Sequence, residues 1–286
     1  MSSSPQRRSI VITGCSSGFG RQTALHLAKQ GWHVFATVRK EADQVSLLQE
    51  ATTTQCQDQL TPLICDITRS DQVTTLAQAV AGATPTLNAL LNNAGTAFAG
   101  PLELISLDDF RAQLEINVVA HLGVIQALLP LLKAARGSII NVSSVNGRIA
   151  TPIVGAYSAS KFALEAMSDA LRVELAPFGI HVVVIEPSSS PTSIWDTSRQ
   201  RAEVVLDEHR DGPYARLLTT FEKLAVRAGT SGFPPQLFAD TVGTILSSPR
   251  PRTRYVVPRS AKRGILLRQI LPDKLWDRQV RRMLRW

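Results

Sequence analysis

Tyr157 and Lys161 stand four residues apart in Tyr157-Ser158-Ala159-Ser160-Lys161, inside a stretch patterned as a helix from about Gly155 to Ala176. At that spacing two side chains share one helical face and can meet. A phenol titrates near pH ~10 in isolation, and a neighbouring ammonium favours its ionised form, bringing it toward the range useful for moving a proton to or from a carbonyl oxygen. The pair is a candidate acid/base couple in which lysine is also the electrostatic tuner. Any exposed helix can carry the same two residues, so their meaning depends on what surrounds them.

The surroundings begin with Ser9-Ile10-Val11-Ile12-Thr13, a short β-rich run followed by a glycine-punctuated turn and a helical pattern from Arg21 to Gln30. The cycle repeats with strands at His33–Val38, Pro62–Cys65 and Leu87–Leu91 and helices at Glu41–Ala51 and Arg69–Val80. A long helical pattern from Leu107 to about Ala135, which Pro130 should kink, leads through Gly137 into a strand at Ser138–Val142. After the Tyr157 helix comes His181–Ile185, an apolar run of the kind buried on both faces. Such alternation predicts an α/β fold: a single Rossmann-type, doubly wound parallel sheet of about seven strands with helices on both faces. Residues 1–7 are expected to be a flexible N-terminus, 8–258 the domain, and 259–286 a basic helical extension interrupted by Pro272. Within the domain, prolines, glycines and serines break up 187–235 around short helical pieces such as Tyr214–Arg227, which suggests a substrate lid. A helix at Gln236–Leu246 and a strand at Arg254–Val257 complete it.

Thr13-Gly14-Cys15-Ser16-Ser17-Gly18-Phe19-Gly20 joins the first strand to the first helix. A glycine-rich turn there lets backbone approach a pyrophosphate at the helix N-terminus, which makes Gly14, Ser16, Ser17, Gly18, Phe19 and Gly20 candidate dinucleotide contacts. The spacing G-x-x-x-G-x-G differs from the more familiar G-x-G-x-x-G, so the reading rests on the βαβ context. The second strand ends on Val38, Arg39 and Lys40 and offers no carboxylate to a ribose 2′-hydroxyl. Arg39 and Lys40 can make charge-assisted bonds to a 2′-phosphate, so NADP(H) is expected before NAD(H); the structural alternative is two solvated cations at a strand end.

Taken in order, Thr13-Gly14-x-x-x-Gly18-x-Gly20, Asn92-Asn93-Ala94-Gly95, Asn117, Ser143-Ser144 and Tyr157-x-x-x-Lys161 resemble the short-chain dehydrogenase/reductase family over about residues 8–192. Thr13–Gly20 and Tyr157–Glu165 also look similar to its 17β-hydroxysteroid and retinol dehydrogenase branch. The resemblance implies that Ser144, thirteen positions before Tyr157, hydrogen-bonds the substrate oxygen, with Ser143 its competitor. It implies that Lys161 holds the nicotinamide ribose and that Asn117 supports a water through which Tyr157 exchanges protons with solvent. Asn93, Ala94 and Gly95 would pack beneath the cofactor. Asp66 and Ile67 would contact adenine, although Asp66 could equally start a helix. Likewise, Ser144 could simply cap the chain after its strand, and Asn117 could satisfy backbone groups. Pro187, Ser188 and Thr192 would meet the nicotinamide, but Ser188 stands where many relatives carry glycine, which predicts a shifted loop, an extra hydroxyl or weaker binding. Dimers or tetramers packed through the helices at 107–135 and 155–176 are also implied.

Ile149, Pro152, Ile153, Val154, Ile194 and Trp195 could line an apolar pocket for a lipophilic ketone or alcohol, of steroid or retinoid shape, or could be ordinary core. The chain is 286 residues, 44% hydrophobic and 19% charged, which suits a globular protein. Cys15, Cys56 and Cys65 lack disulfide or zinc spacing, no metal is expected, and a reducing cytoplasm fits. Absence of an apolar leader or long apolar run argues against secretion and membrane spanning. The net charge of +8 gathers toward the C-terminus, which disfavours a nucleic-acid function and reads as a solvated helix face or a peripheral membrane contact. The functional expectation is an NADP(H)-dependent ketone or aldehyde/alcohol oxidoreductase; the alternative is an NADP(H)-binding regulator without turnover.

Overall fold

A computed structural model describes residues 7–191, 211–284 and 286. Its centre is a seven-stranded sheet in the order β3-β2-β1-β4-β5-β6-β7, formed by β1 (Ser9–Ile12), β2 (His33–Val38), β3 (Leu60–Ile64), β4 (Ala89–Asn92), β5 (Ser138–Val142), β6 (His181–Pro187) and β7 (Arg254–Val257). Every pairing is parallel. The order reverses between β1 and β4, and that switch point opens a crevice at the carboxyl ends of the strands, where ligands of such sheets bind.

The strands are apolar almost throughout because both faces are covered. Ile10, Ile12, Leu91, Ile140 and Ile185 pack to one side with α1 (Gly18–Lys29), α2 (Glu41–Thr53) and α8 (Pro235–Ser247). Val11, Leu90, Ile139 and Val182 alternate to the other side, against α3 (Ser70–Ala83), α5 (Ala120–Ala135) and α6 (Gly155–Leu175). Each fully buried Leu or Ile contributes roughly 1.5–3 kcal/mol relative to an exposed one, so the two layers hold the crevice rigidly.

The helical stretch at 107–135 is α4 (Leu107–Leu114), a π-helical segment (Glu115–Val119) and α5, not one uniform helix. Pro130 remains inside α5 without ending it. By length and composition 107–135 could cross a membrane. Here, however, Val124, Ile125, Leu128 and Leu132 are core residues against the sheet. Among the described residues, the lid expected after 187 carries the continuous helix α7 (Ala215–Ser231). The extension forms α9 (Lys262–Ile270) and α10 (Asp273–Leu284), broken at Pro272 as anticipated.

Candidate active site

The glycine loop closes on itself. Gly14 has φ +73°, and a Cβ there would come within 2.8 Å of Ala94 Cα. Thr13 Oγ1 accepts from the backbone N–H groups of Asn93 (2.9 Å) and Ala94 (3.0 Å), while Asn93 Nδ2 donates to the carbonyls of Thr13 and Gly14 at 2.9 and 3.1 Å. The Asn93-Ala94-Gly95 turn is thereby pinned beneath the loop. Gly20 serves packing: its Cβ would lie 2.3 Å from Gly14 O, and it does not line the cavity. Gly14, Ser16, Ser17, Gly18 and Phe19 do line it, at the N-terminus of a helix with no acidic residue in its first turn. An anion meets open backbone and a favourable dipole at this position.

Val38 and Arg39 line the same cavity at one end with Cys65, Asp66 and Ile67, whereas Lys40 lies outside it as the residue preceding α2. Asp66 is tied down locally: its Oδ1 accepts from Thr68 N (3.0 Å) and Thr68 Oγ1 (2.8 Å), and Arg69 is the N-cap of α3. At the other end stand Ser143, Ser144, Tyr157, Lys161, Pro187 and Ser188. Thr192, Ile194 and Trp195 fall outside the described residues.

Tyr157 and Lys161 sit on one buried face of α6, as their spacing predicts. Their electrostatics correct the expectation. Burial drives the Tyr157 phenol up to about 12, opposed by a hydrogen bond from the Ser144 hydroxyl. Burial also pushes the Lys161 ammonium down to about 8, partly offset by the charge of Glu165. Lys161 does not lower the phenol here because its Nζ donates to Val142 O at 2.8 Å and lies 5.6 Å from the Tyr157 ring centroid. Ser144 does cap the chain after β5, its Oγ accepting from Asn146 N at 3.1 Å, yet the same hydroxyl reaches Tyr157. The Ser143 hydroxyl is buried, with no hydrogen-bond partner among the described residues, and is directed toward Gly147.

Asn117 lies in the π segment, and its side chain is fully engaged. It donates to Thr96 O and Ser160 Oγ, each at 3.0 Å, and accepts from Thr96 N at 3.0 Å. A Cβ on Gly95 would come within 3.3 Å of Asn117 Oδ1, so a larger residue there would push on the Asn117 amide. Asn117 thus fastens the loop after β4 to α6; π segments of this kind are frequent at functional sites. Ser188 donates its backbone N–H to Val257 O at 2.8 Å. It does not adopt the left-handed conformation that would call for glycine.

Ile149 and Ile153 do not line the cavity. Ile149 faces Gly264 of α9. Ile153, at φ +71°, packs with Ala99, Leu217, Leu218, Val280 and Leu284 in a satellite core between the body, α7 and α10. The apolar side chains packed on Tyr157 are Ala97, Val154 and Phe221, and Phe221 also joins the satellite core. Ala97 was missed because it comes from an irregular stretch, and Phe221 because nothing in its helix marks what it packs on.

A second missed feature is a charge cluster joining α6, β6 and β7. Glu186, 1% exposed, accepts from Arg148 (3.1 Å) and lies 3.4 Å from Arg254, which also bonds Glu165 (3.0 Å) and Asp169 (2.6 Å). It ties the loop after Ser144 and the strand before Pro187 to α6. The signal was Glu186 itself, an acid ending an otherwise apolar strand.

Residues 8–203 match the family model for short chain dehydrogenases. Over 279 residues the chain is 31% identical to the NADPH-dependent 3-dehydrocapnine reductase of Ornithobacterium rhinotracheale, with 95% of each chain covered. Over 280 residues it is 36% identical to retinol dehydrogenase 5 of Mus musculus, covering 94% of this chain and 86% of that one. A short-chain dehydrogenase from Streptomyces avermitilis matches with a TM-score of 0.77 at 25% identity, over 92% of this chain and 93% of the other. The chain belongs to the short-chain dehydrogenase/reductase family: it is an oxidoreductase of alcohol and carbonyl groups with a nicotinamide cofactor.

Proposed function

We propose that this oxidoreductase uses NADP(H) to interconvert a hydrophobic ketone or aldehyde and its alcohol, with Tyr157 as acid/base. The observation that carries the reading is convergence: one cavity joins the glycine loop and Arg39 to Ser144, Tyr157 and Lys161. A dinucleotide fits this cradle because the glycine loop presents open backbone at the N-terminus of α1, and because β2 ends on Val38 and Arg39, a cation for a 2′-phosphate where a ribose-binding acid would otherwise stand. The reductase of O. rhinotracheale, by its name, is NADPH-dependent. Gly14, Ser16, Ser17, Gly18, Phe19 and Arg39 would hold the phosphates and ribose, with Asp66 and Ile67 near adenine. Asn93, Ala94, Gly95, Pro187, Ser188 and Thr192 would serve the nicotinamide half.

The cofactor supplies hydride exchange at the reacting carbon. Ser144 donates a hydrogen bond to the substrate oxygen and so stabilises negative charge developing there. Tyr157 delivers its proton to that oxygen in reduction and withdraws it in oxidation. Lys161, held 5.6 Å from the Tyr157 ring, can bind ribose hydroxyls and keeps a positive charge on the Tyr157 face of α6 during turnover. Asn117 orders the link from Lys161 toward solvent by fixing the Thr96 loop against α6. Ala97, Val154 and Phe221 give the substrate an apolar wall, as a lipophilic carbonyl requires. Retinol dehydrogenase 5 is named for a substrate of that polarity.

The three cysteines, free and buried, support a reducing, cytoplasmic setting. Exposed Phe162 and Val173 on α6 support a homo-oligomer joined through that helix. The regulator alternative loses its main motive, since Ser188 occupies ordinary backbone space. Oxidation of NADPH with a panel of hydrophobic aldehydes and ketones tests the reading. It expects turnover with NADPH well above that with NADH. Tight NADPH binding without turnover of any of them favours the regulator instead.

A further inference from the structure

The C-terminal helices are built into the body on their inner side. Ile265 is buried, Val280 and Leu284 enter the satellite core beside Ile153, and Trp286 stacks on Tyr214 at 5.8 Å. Arg268 ties the two helices together, bonding Asp273 at 2.7 Å and lying over the Trp276 ring. With the inner face occupied, the outer side still carries four large aliphatic side chains within ten residues. These are Leu266, Leu267, Ile270 and Leu275, with Ile270 76% exposed. Residues 259–284 also hold eight Lys or Arg against two Asp, a net +6 of the chain's +8. The cations among them include Lys262, Arg263, Lys274 and Arg278, all exposed.

Both features need one partner. A soluble polyanion would answer the cations and leave the leucines in water, and a second copy of this face would oppose like charge to like charge. An anionic bilayer answers both, because aliphatic tips enter the acyl boundary while lysines and arginines meet lipid phosphates. We infer that α9 and the start of α10 form a docking face for an anionic membrane surface. The inner side of this cap reaches Leu217, Leu218 and Phe221, and Phe221 packs in turn on Tyr157, so docking places the apolar wall of the active site next to the lipid.

Co-sedimentation of the full chain with vesicles tests this without cofactor or turnover, so its outcome is separate from that of the catalytic reading. The protein is expected to pellet with phosphatidylcholine vesicles containing about one third phosphatidylglycerol, to ignore pure phosphatidylcholine, and to lose roughly tenfold in binding between about 0.1 and 0.5 M salt. Leu266→Ser/Ile270→Ser should weaken binding at least about fivefold with an unchanged melting temperature. Lys262→Glu/Arg263→Glu should weaken it through charge alone. Failure to pellet with anionic vesicles at low salt overturns the inference. So does binding that Leu266→Ser/Ile270→Ser leaves intact, which marks a polyanion site. Dissociation of an oligomer by the same variant also overturns it, because a second copy then covers the face.

Discussion

Tyr157 and Lys161 are both shifted by burial in the direction that disfavours charge, so the protonation of Lys161 sets the alkaline limit of the pair. Lys161 is cationic below about 8 and Tyr157 keeps its proton up to about 12. Reduction needs the phenol protonated and the ammonium charged. The kcat/KM for carbonyl reduction should therefore be level at lower pH and fall about tenfold per unit above the Lys161 value. Lys161→Arg keeps the cation through that range and should move the limb upward by more than about one unit, whatever it does to the plateau; a pH–rate profile of both proteins measures it. Arg39 is the other residue with a single assignable charge role. Losing a charge-assisted bond to a phosphate removes about 1.5–3 kcal/mol, so Arg39→Ala should raise the KM for NADPH roughly tenfold to a hundredfold and leave that for NADH unchanged. Unaltered cofactor preference would remove Arg39 from the account.

Elements that share no sequence neighbourhood meet behind the site. Arg254 on β7 holds Glu165 and Asp169 of α6 and approaches Glu186 of β6, where burial already keeps the Glu186 carboxyl above the usual carboxylate range. Arg254→Met strips the main cation from buried acids and should destabilise the fold by about 3 kcal/mol near neutral pH, read by urea denaturation. The sign with pH follows: an acid whose folded pKa is raised binds protons more readily when folded, so the variant should recover stability as pH falls from neutral toward the usual carboxylate range. A deficit independent of pH would mean that packing, not charge, explains the loss. Arg254, Glu186 and Glu165 carried little forewarning as a group, because pairing across four elements leaves no periodic trace. The π segment around Asn117 was equally hidden, since its helical patterning continues through it. The glycine loop, the alternating strands and the shared face of Tyr157 and Lys161 were legible for the opposite reason: each is a local pattern with a local physical cause.

At the scale of the molecule, a doubly wound sheet supplies the crevice, and a small helical cap packs against its Tyr157 side. The first was readable from strand and helix alternation. The second was not: Ile153, readable as pocket lining or as core, is the left-handed joint of the satellite core, and the basic tail keeps Arg278, Arg281 and Arg282 on the expected solvated face while Val280 and Leu284 dock it. Residues such as Phe221, buried by a partner helix far along the chain, show nothing in their own neighbourhood to mark them as site walls.

The most direct measurement of the central claim compares NADPH-linked reduction of a hydrophobic carbonyl by the wild-type chain and by Tyr157→Phe, with NADPH affinity measured alongside. The account predicts a loss of at least about a thousandfold in kcat with cofactor affinity preserved within roughly threefold. A Tyr157→Phe protein that turns over within about tenfold of wild type would contradict it, because the proton would then be reaching the substrate oxygen from another group.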